Sequence, residues 1–402
     1  MKKSIVLIPL LFILLSGYTL KAQINGTSTS VTGQTGVITT TVPFLLITPD
    51  ARSGGMADAG VAITPDANST YWNPSKLAFV QDNMGFSASY NPWLRELVPD
   101  INLYYISGYK KLDDVSAIGA SVKYFSLGDI AFTNNNGNNI GNYRPQELSA
   151  DLSYARKLTD HFSLGVTGRY IYSDLTGQFT LPNGTTISPA KDAAVDVSAY
   201  DVHQVHLGKL NADLAFGCNI SNIGPKLSYI SGYIGDFLPA NLKLGGNLNL
   251  HINEENEISF SLDLNKLLVP TPPDYLLNYR GDDSIVNGQP VIIKGKNPNV
   301  SVIQGMIQSF GDAPGGASQQ WAEIDPSFAF EYWHNRMFAI RAGYFYEALT
   351  EGNRQYLTFG IGGKYNGFAL DLSYLFPTNA QSVLTRSPLE NTIRFTLSYY
   401  IK

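Results

Sequence analysis

Histidine is the side chain most often used for acid–base catalysis and, with cysteine, for binding zinc. The sequence holds five histidines, which are His161, His203, His206, His251 and His334. Their spacing matches no zinc-ligand motif, and Cys218 is the single cysteine. Hydrolysis needs a nucleophile beside a general base, and no carboxylate pair stands out as an acid–base site. We therefore expect no catalytic residue, no metal site and no cofactor.

Charged side chains form a second group that could do chemistry. Nine of them fall on alternate positions of polar–apolar segments: Asp151, Asp213, Asp263, Glu331, Asp371, Arg169, Lys243, Arg341 and Arg394. Charges confined to the inside of a barrel tend to pair, so a structural network is the favoured interpretation and a transport path the alternative. The residues expected in that network and in a plug that contacts it are Arg52, Asp58, Asn73, Pro74, Arg169, Asp263 and Arg341.

The overall charge is low for a soluble protein. Only 15% of the 402 residues are charged, and the net charge is −5, whereas about 25% is typical of soluble domains. An acidic chain without clustered Lys and Arg argues against a nucleic-acid partner. The 24 tyrosines and 37 glycines suit a membrane barrel, which has an apolar wall and aromatic rims.

The first 22 residues have the parts of a secretory signal peptide. Lys2 and Lys3 precede an apolar run over residues 5–15, and Ala22 offers a small residue at the cleavage position. That run is too short to span a bilayer, and no later stretch reaches the 18 or so apolar residues of a spanning helix. We predict an exported protein and exclude a helical membrane protein.

From residue 84 onward, the side chains alternate between apolar and polar. The clearest case pairs Leu242, Leu244, Leu248 and Leu250 with intervening polar residues. Strict alternation predicts strands with one apolar and one wet face. We predict about fourteen strands, near 84–91, 101–110, 115–126, 146–157, 161–174, 193–206, 211–222, 240–252, 256–266, 326–334, 337–347, 354–365, 367–377 and 391–401.

The connections between these strands decide between a soluble sandwich and a barrel. Short turns, such as Asn366-Gly367, alternate with long loops near 127–145, 175–192, 223–239, 267–325 and 378–390. This asymmetry is typical of outer-membrane barrels, whose short turns are periplasmic. We predict an all-β, about fourteen-stranded antiparallel transmembrane β-barrel over residues 84–402, located in the cell outer membrane. The strand directions place all five histidines at or near the periplasmic end.

Residues 23–83 lack this alternation. A Thr/Ser/Gly stretch is expected to be a disordered start, and a compact Gly/Pro segment follows it. Such a segment is too short to form a stable domain alone. We predict that it is an N-terminal plug inside the barrel.

Several long loops carry large apolar residues. They are Trp93, Leu94, Phe179, Leu181, Phe237 and Leu238. Apolar tips on loops can anchor a protein partner by filling its pockets, and we predict this role for them. The alternative is that they cover the barrel mouth or rest in the lipid interface.

Nine segments resemble one family. They are VPFLLI (42–47), DARSGGMADAG (50–60), WNPSKLAF (72–79), YFSLGDI (124–130), FLPANL (237–242), KLLVPTP (266–272), SFGDAP (309–314), GNRQ (352–355) and PLENTIRF (388–395). Together they resemble the PorV family of the Bacteroidetes type IX secretion system. The Asn73-Pro74 turn also recurs in the wider group of fatty-acid-transporter-like barrels.

The resemblance implies a fourteen-stranded barrel with an N-terminal plug and no enzymatic activity. It further implies that the chain binds the C-terminal signal domains of secreted cargo at a large translocon barrel. Delivery to a surface attachment complex with a sortase-like peptidase would follow. Outer-membrane lipid is the remaining expected partner. The alternative function is a channel for hydrophobic small molecules, because fatty-acid transporters share the barrel-and-plug plan.

Overall fold

Fourteen long antiparallel strands pair in one closed barrel, and the described parts of its loops contain eight short strands. The strands of this computed structural model are β1 (Met84–Pro92), β2 (Asn102–Lys111), β3 (Ser116–Ser126), β4 (Ile130–Thr133), β5 (Asn139–Tyr143), β6 (Gln146–Lys157), β7 (Phe162–Asp174), β8 (Phe179–Thr180), β9 (Thr186–Ile187), β10 (Ala190–Leu207), β11 (Leu210–Ile223), β12 (Asn241–His251), β13 (Asn256–Leu267), β14 (Asp274–Tyr275), β15 (Ile285–Val286), β16 (Gln289–Pro290), β17 (Ile292–Lys294), β18 (Ile324–His334), β19 (Phe338–Tyr346), β20 (Gln355–Tyr365), β21 (Phe368–Pro377) and β22 (Thr392–Ile401). The prediction of a fourteen-stranded all-β barrel is confirmed.

The structure describes residues 36–94, 100–133, 139–180, 184–278, 283–378, 389 and 392–402. The predicted signal peptide, residues 1–22, and most of the predicted disordered start lie outside these ranges. Leu181 and the side chain of Phe179 also lie outside the described part of the chain.

The wall alternates as the sequence predicts. On the pair β12–β13, Asn247 stands opposite Ser261 and Leu248 opposite Phe260. Asn247 and Ser261 are buried inside, and the Ser261 hydroxyl donates to Asn247 Oδ1 at 2.7 Å. Phe260 and Leu262 point outward and are half exposed. An apolar outer face around a polar interior is the arrangement that lipid requires of a barrel.

The two ends of the sheet meet. Strand β1 pairs with β22, from Met84 opposite Ile401 to Tyr90 opposite Phe395. This pairing closes the ring, so its main-chain donors and acceptors are satisfied without an open edge.

The long connections have structure of their own. The hairpins β4–β5, β8–β9 and β15–β16 and the pair β14–β17 all lie in them. Two helices, α3 (Val302–Gln308) and α4 (Ala317–Ala322), occupy the loop between β13 and β18. Among the described residues, no helix has the length and apolar character needed to cross a bilayer.

A segment of four short helical turns precedes β1. Its turns are a 3₁₀ turn (Pro43–Leu46), α1 (Ala51–Gly54), α2 (Ser69–Trp72) and a second 3₁₀ turn (Pro74–Phe79). We call residues 43–80 the lumen segment, because they contact inward-facing residues of strands around the ring. Asp50 caps α1 by accepting the Ser53 amide, as a helix start requires. Whether this segment acts as a plug stays a prediction.

The alternating wall gives a first test. Replacing Leu262, which faces outward, with aspartate should cost about 1–4 kcal/mol of stability and reduce assembly, because the carboxylate meets lipid. The matched change is Ser261→Asp, one residue away on the wet face, and it should be much milder. Folded barrel is measured by heat-modifiable migration on gels. Equal loss from both variants would contradict the assignment of faces.

Candidate functional site

Five buried charges link the lumen segment to the wall. Arg52 donates to Asp66 within the segment at 3.0 Å and to Glu331 on β18 at 2.8 Å. Glu331 also accepts from Arg341 on β19 at 2.6 Å, and Arg341 reaches Asp371 on β21 at 2.7 Å. The alternating signs leave each arginine between two carboxylates. We call this chain of five residues the charge chain.

Other predicted residues hold the same segment in place. Asp263 on β13 accepts the main-chain amides of Gly60 and Val61 at 2.7 and 2.9 Å. Asn73 donates to the Val61 and Ala199 carbonyls, both at 3.0 Å, and Pro74 begins the 3₁₀ turn that Asn73 caps.

Asp58 accepts the Tyr356 hydroxyl at 2.6 Å and lies 3.5 Å from the Arg394 guanidinium. The structure therefore brings four of the seven predicted plug and lumen residues into contacts between segment and wall, namely Arg52, Asp58, Asn73 and Asp263. Arg341 joins them only through Glu331.

Arg169 belongs to a different cluster. Its guanidinium donates to Asp151 on β6 and Asp196 on β10, at 2.8 and 2.9 Å, and contacts the Asn222 side chain on β11. These partners all lie on barrel strands, so Arg169 ties wall strands together, whereas it was expected in one network with the segment. Strand register, which joins β6, β7 and β10 side by side, causes this separation.

Burial changes the acid–base behaviour of the lumen segment. The Asp50 carboxylate is buried beside the charge of Asp66, and it accepts from the Trp72 indole at 2.7 Å. Burial foremost raises the pKa of Asp50 to about 6. Burial also lowers the pKa of Lys76 to about 8, and its ammonium donates to the Gly60 carbonyl at 2.6 Å. Each group has one fixed protein partner or more, which indicates a structural role.

An apolar cap covers part of the long-loop end. It joins Phe44 and Leu45, at the start of the lumen segment, and the preceding Val42 to buried residues of the wall and loops. The Phe44 and Phe125 rings stack with centroids 6.5 Å apart. This cap lies where the lumen would open to the long loops.

Three of the predicted partner anchors belong to this cap. Trp93 and Leu94 pack against it, and Leu238 is one of its buried members, with 2% of its surface exposed. Phe237 is half-buried beneath the Lys226 ammonium, which lies 4.2 Å from the ring centroid. The prediction of exposed tips is wrong for Leu238. It stands three residues before β12, where the loop has already returned to the barrel mouth.

Several other apolar residues of the long loops are exposed, and four of them lie on two of these loops. Tyr233 and Ile234 are 67% and 77% exposed, and Ile303 and Ile307 on α3 are 59% and 72% exposed. We call these four residues the outer apolar surface. Their two loops touch, since a methyl group at Gly305 of α3 would come within 2.9 Å of the Phe237 ring.

The sequence did carry a signal for part of this surface. Ile303 and Ile307 are four residues apart, which places them on one face of a helix. This spacing is informative only once the segment is known to be helical. The loop from 267 to 325 lacks the apolar–polar alternation that identified the strands, so no structure was predicted for it.

One group at the short-turn end departs from the expectation of scattered histidines. His161, Asp201 and His203 come together, and each imidazole makes a hydrogen-bonded contact with the carboxylate, at 2.7 and 2.8 Å. Their ligand atoms lie within 4.8 Å of one another. His251 contacts Asp213 at 2.9 Å on neighbouring strands of the same end. Spacing in the sequence could not show this, because strand pairing brings residues 161 and 201 together.

Comparison with known proteins gives one family. Residues 30–274, more than half of the chain, match the family model described as type IX secretion system protein PorV. No curated protein matches the chain.

Solved structures give weaker likenesses. The toluene transporter TodX of Pseudomonas putida is 12% identical, with 86% of this chain and 96% of that chain covered and a TM-score of 0.47. A FadL homologue of Pseudomonas aeruginosa is 12% identical, with 89% and 99% covered and a TM-score of 0.43. The toluene transporter TbuX of Ralstonia pickettii is similar at 12%, with 88% and 98% covered and a TM-score of 0.46.

The family match agrees with the segments that the sequence shares with such proteins, and the closed barrel has the apolar wall of a membrane protein. The chain belongs to the PorV family of type IX secretion system proteins and is a β-barrel of the outer membrane.

Proposed function

We propose that this chain binds the C-terminal signal domains of secreted cargo at its long-loop mouth and passes them to the surface attachment complex. The partners would be the large translocon barrel, the cargo domains and the sortase-like attachment complex, within outer-membrane lipid. The chain itself would do no catalysis. Membership of a type IX secretion family supports the general role.

The observation that carries this proposal is the outer apolar surface. Four large apolar side chains, between 59% and 77% exposed, project from two touching loops on the long-loop side. Large apolar side chains that are exposed on loops can mark binding sites for proteins. The charge chain and the apolar cap meanwhile hold residues of the lumen segment against the wall and the loops by fixed contacts. Binding at the exposed loop residues would not require these contacts to break.

The test is the double variant Ile303→Ser, Ile307→Ser. Each apolar anchor buried in a partner contributes about 1.5–3 kcal/mol, so loss of the pair, about 3–6 kcal/mol, should weaken cargo binding by roughly a hundredfold or more. Recovery of cargo C-terminal domains is measured by affinity purification from outer membranes, with the amount of barrel determined in parallel.

The matched control is Leu112→Ser, Leu158→Ser. These leucines are 52% and 56% exposed in short turns at the opposite end, and their loss should leave cargo recovery unchanged. Equal recovery from the α3 variant and the control would overturn the proposal.

A lumen variant separates secretion from the alternative function, a channel for hydrophobic small molecules. Asn247→Leu changes a buried lumen side chain that is hydrogen-bonded to Ser261. Under the proposed function, cargo secretion persists in this variant. Secretion that fails in Asn247→Leu and persists in the α3 variant would favour the channel.

A further inference from the structure

His161, Asp201 and His203 form a cluster that plays no part in the proposed binding of cargo at the long-loop end. The cluster stands at the short-turn end. His161 ends the turn between β6 and β7, and the Val202 amide donates to its carbonyl at 2.9 Å. Asp201 and His203 are two residues apart on β10, so their side chains leave the same face of the sheet. Strand pairing thus fixes three potential ligands on two neighbouring strands.

The three side chains converge on one point. His161 Nδ1 lies 2.7 Å from one oxygen of Asp201, and His203 Nε2 lies 2.8 Å from the other. The two imidazole rings are 4.4 Å apart between centroids. A tetrahedral ion with bonds of about 2.1 Å needs donors about 3.4 Å apart. Small side-chain rotations would meet that need, because the ligand atoms already lie within 4.8 Å of one another.

The charges also favour a cation. Among the described residues, the ion-pair partners of Asp201 are His161 and His203, and neither a Lys nor an Arg pairs with it. A bound cation would therefore not compete with a Lys or Arg side chain for this carboxylate. Val195 and Val197, on the same side of β10, face outward and are exposed. A negative group at the end of this apolar face gains from a bound positive charge.

We propose that His161, Asp201 and His203 bind a divalent transition-metal ion, with Zn²⁺ as the best fit, at the short-turn rim of the barrel. Two imidazoles and one carboxylate are the protein ligands of open zinc sites, in which the fourth position holds water or another ligand. Imidazole selects this class of ion over Ca²⁺ and Mg²⁺. The three side chains are 49%, 31% and 45% exposed, which leaves the fourth position open to the periplasmic side.

The experiment uses the full chain, purified in detergent without a histidine tag and treated with chelator. Zn²⁺ is titrated by calorimetry, and Co²⁺ and Cu²⁺ report coordination through visible absorption and electron paramagnetic resonance. We expect one bound ion per chain and nitrogen coupling from two imidazoles in the Cu²⁺ spectrum. The double variant His161→Ala, His203→Ala should weaken binding by about a hundredfold or more, since even indirect partners contribute about 10- to 100-fold.

The matched control is His251→Ala. His251 also contacts carboxylates at this end, at 2.9 Å to Asp213 and 3.5 Å to Glu257, but within the described part of the chain no second imidazole pairs with them. Its loss should leave affinity and spectrum unchanged. Asp201→Asn should weaken binding without loss of the barrel, which is checked by gel migration. Wild-type binding no tighter than that of the double variant, or a spectrum with a single imidazole, would overturn the proposal.

Discussion

Replacing Glu331 with alanine is expected to destabilise the barrel by about 3–5 kcal/mol, because the change leaves two buried arginines without their shared partner. Glu331 is 2% exposed and lies between Arg52 at 2.8 Å and Arg341 at 2.6 Å. Removing one charge from a buried alternating chain exposes the full desolvation cost of the others. Urea unfolding, followed by circular dichroism or gel migration, measures the loss.

Glu257→Ala is the matched control for this variant. Glu257 lies on β13, beside β18, and pairs at 2.6 Å with Arg336, whose side chain is 73% exposed. Exposed ion pairs contribute about 0–1 kcal/mol, so this change should hardly alter the unfolding midpoint. Similar losses from the two variants would show that the charge chain does not stabilise the barrel.

Deletion of residues 42–80 is expected to turn a closed barrel into a conducting one. The lumen segment contacts inward-facing residues of the wall, and larger barrels whose lumen is not filled contain water. The deletion should still insert, because the strand ladder that closes β1 on β22 is independent of the segment. Stepwise conductance in planar bilayers, absent from the full chain, is the expected measurement.

Removal of residues 24–35 serves as the control, since it shortens the chain before the lumen segment. It should leave conductance at the level of the full chain. A correctly inserted Δ42–80 barrel that conducts no more than this control would show that the segment does not close the pore.

The strands could be predicted from the sequence because each carries its own signal. Alternation along β12 and β13 predicted their faces, and the predicted starts at 193 and 326 differ from Ala190 and Ile324 by only three and two residues. The regular alternation of short turns with long loops then predicted that the strands close into a barrel. Each strand faces lipid on one side and water or protein on the other, so its residues alternate with a period of two. The sequence of one strand is therefore enough to predict that strand.

Contacts between distant residues could not be predicted in this way. Arg52 and Glu331 are 279 residues apart. Arg52 was predicted in the plug and Glu331 on the wet face of a strand, but their pairing was not predicted. Asp66, the other partner of Arg52, lies outside the alternating strands, and no sequence motif identified it as a lumen residue. For the loops, residue type alone could not distinguish buried Leu238 from exposed Ile303, because the distinction depends on where each loop returns to the barrel.

The pairing of β1 with β22 has a consequence for the time course of assembly. Two edges remain open until the final strand arrives, and unpaired edges recruit other chains. The closing contacts join residues more than 300 apart, such as Met84 and Ile401, and contacts that distant form slowly. The nascent chain must therefore be shielded over that whole interval, and losing β22 would leave a permanently unfinished sheet destined for aggregation or proteolysis.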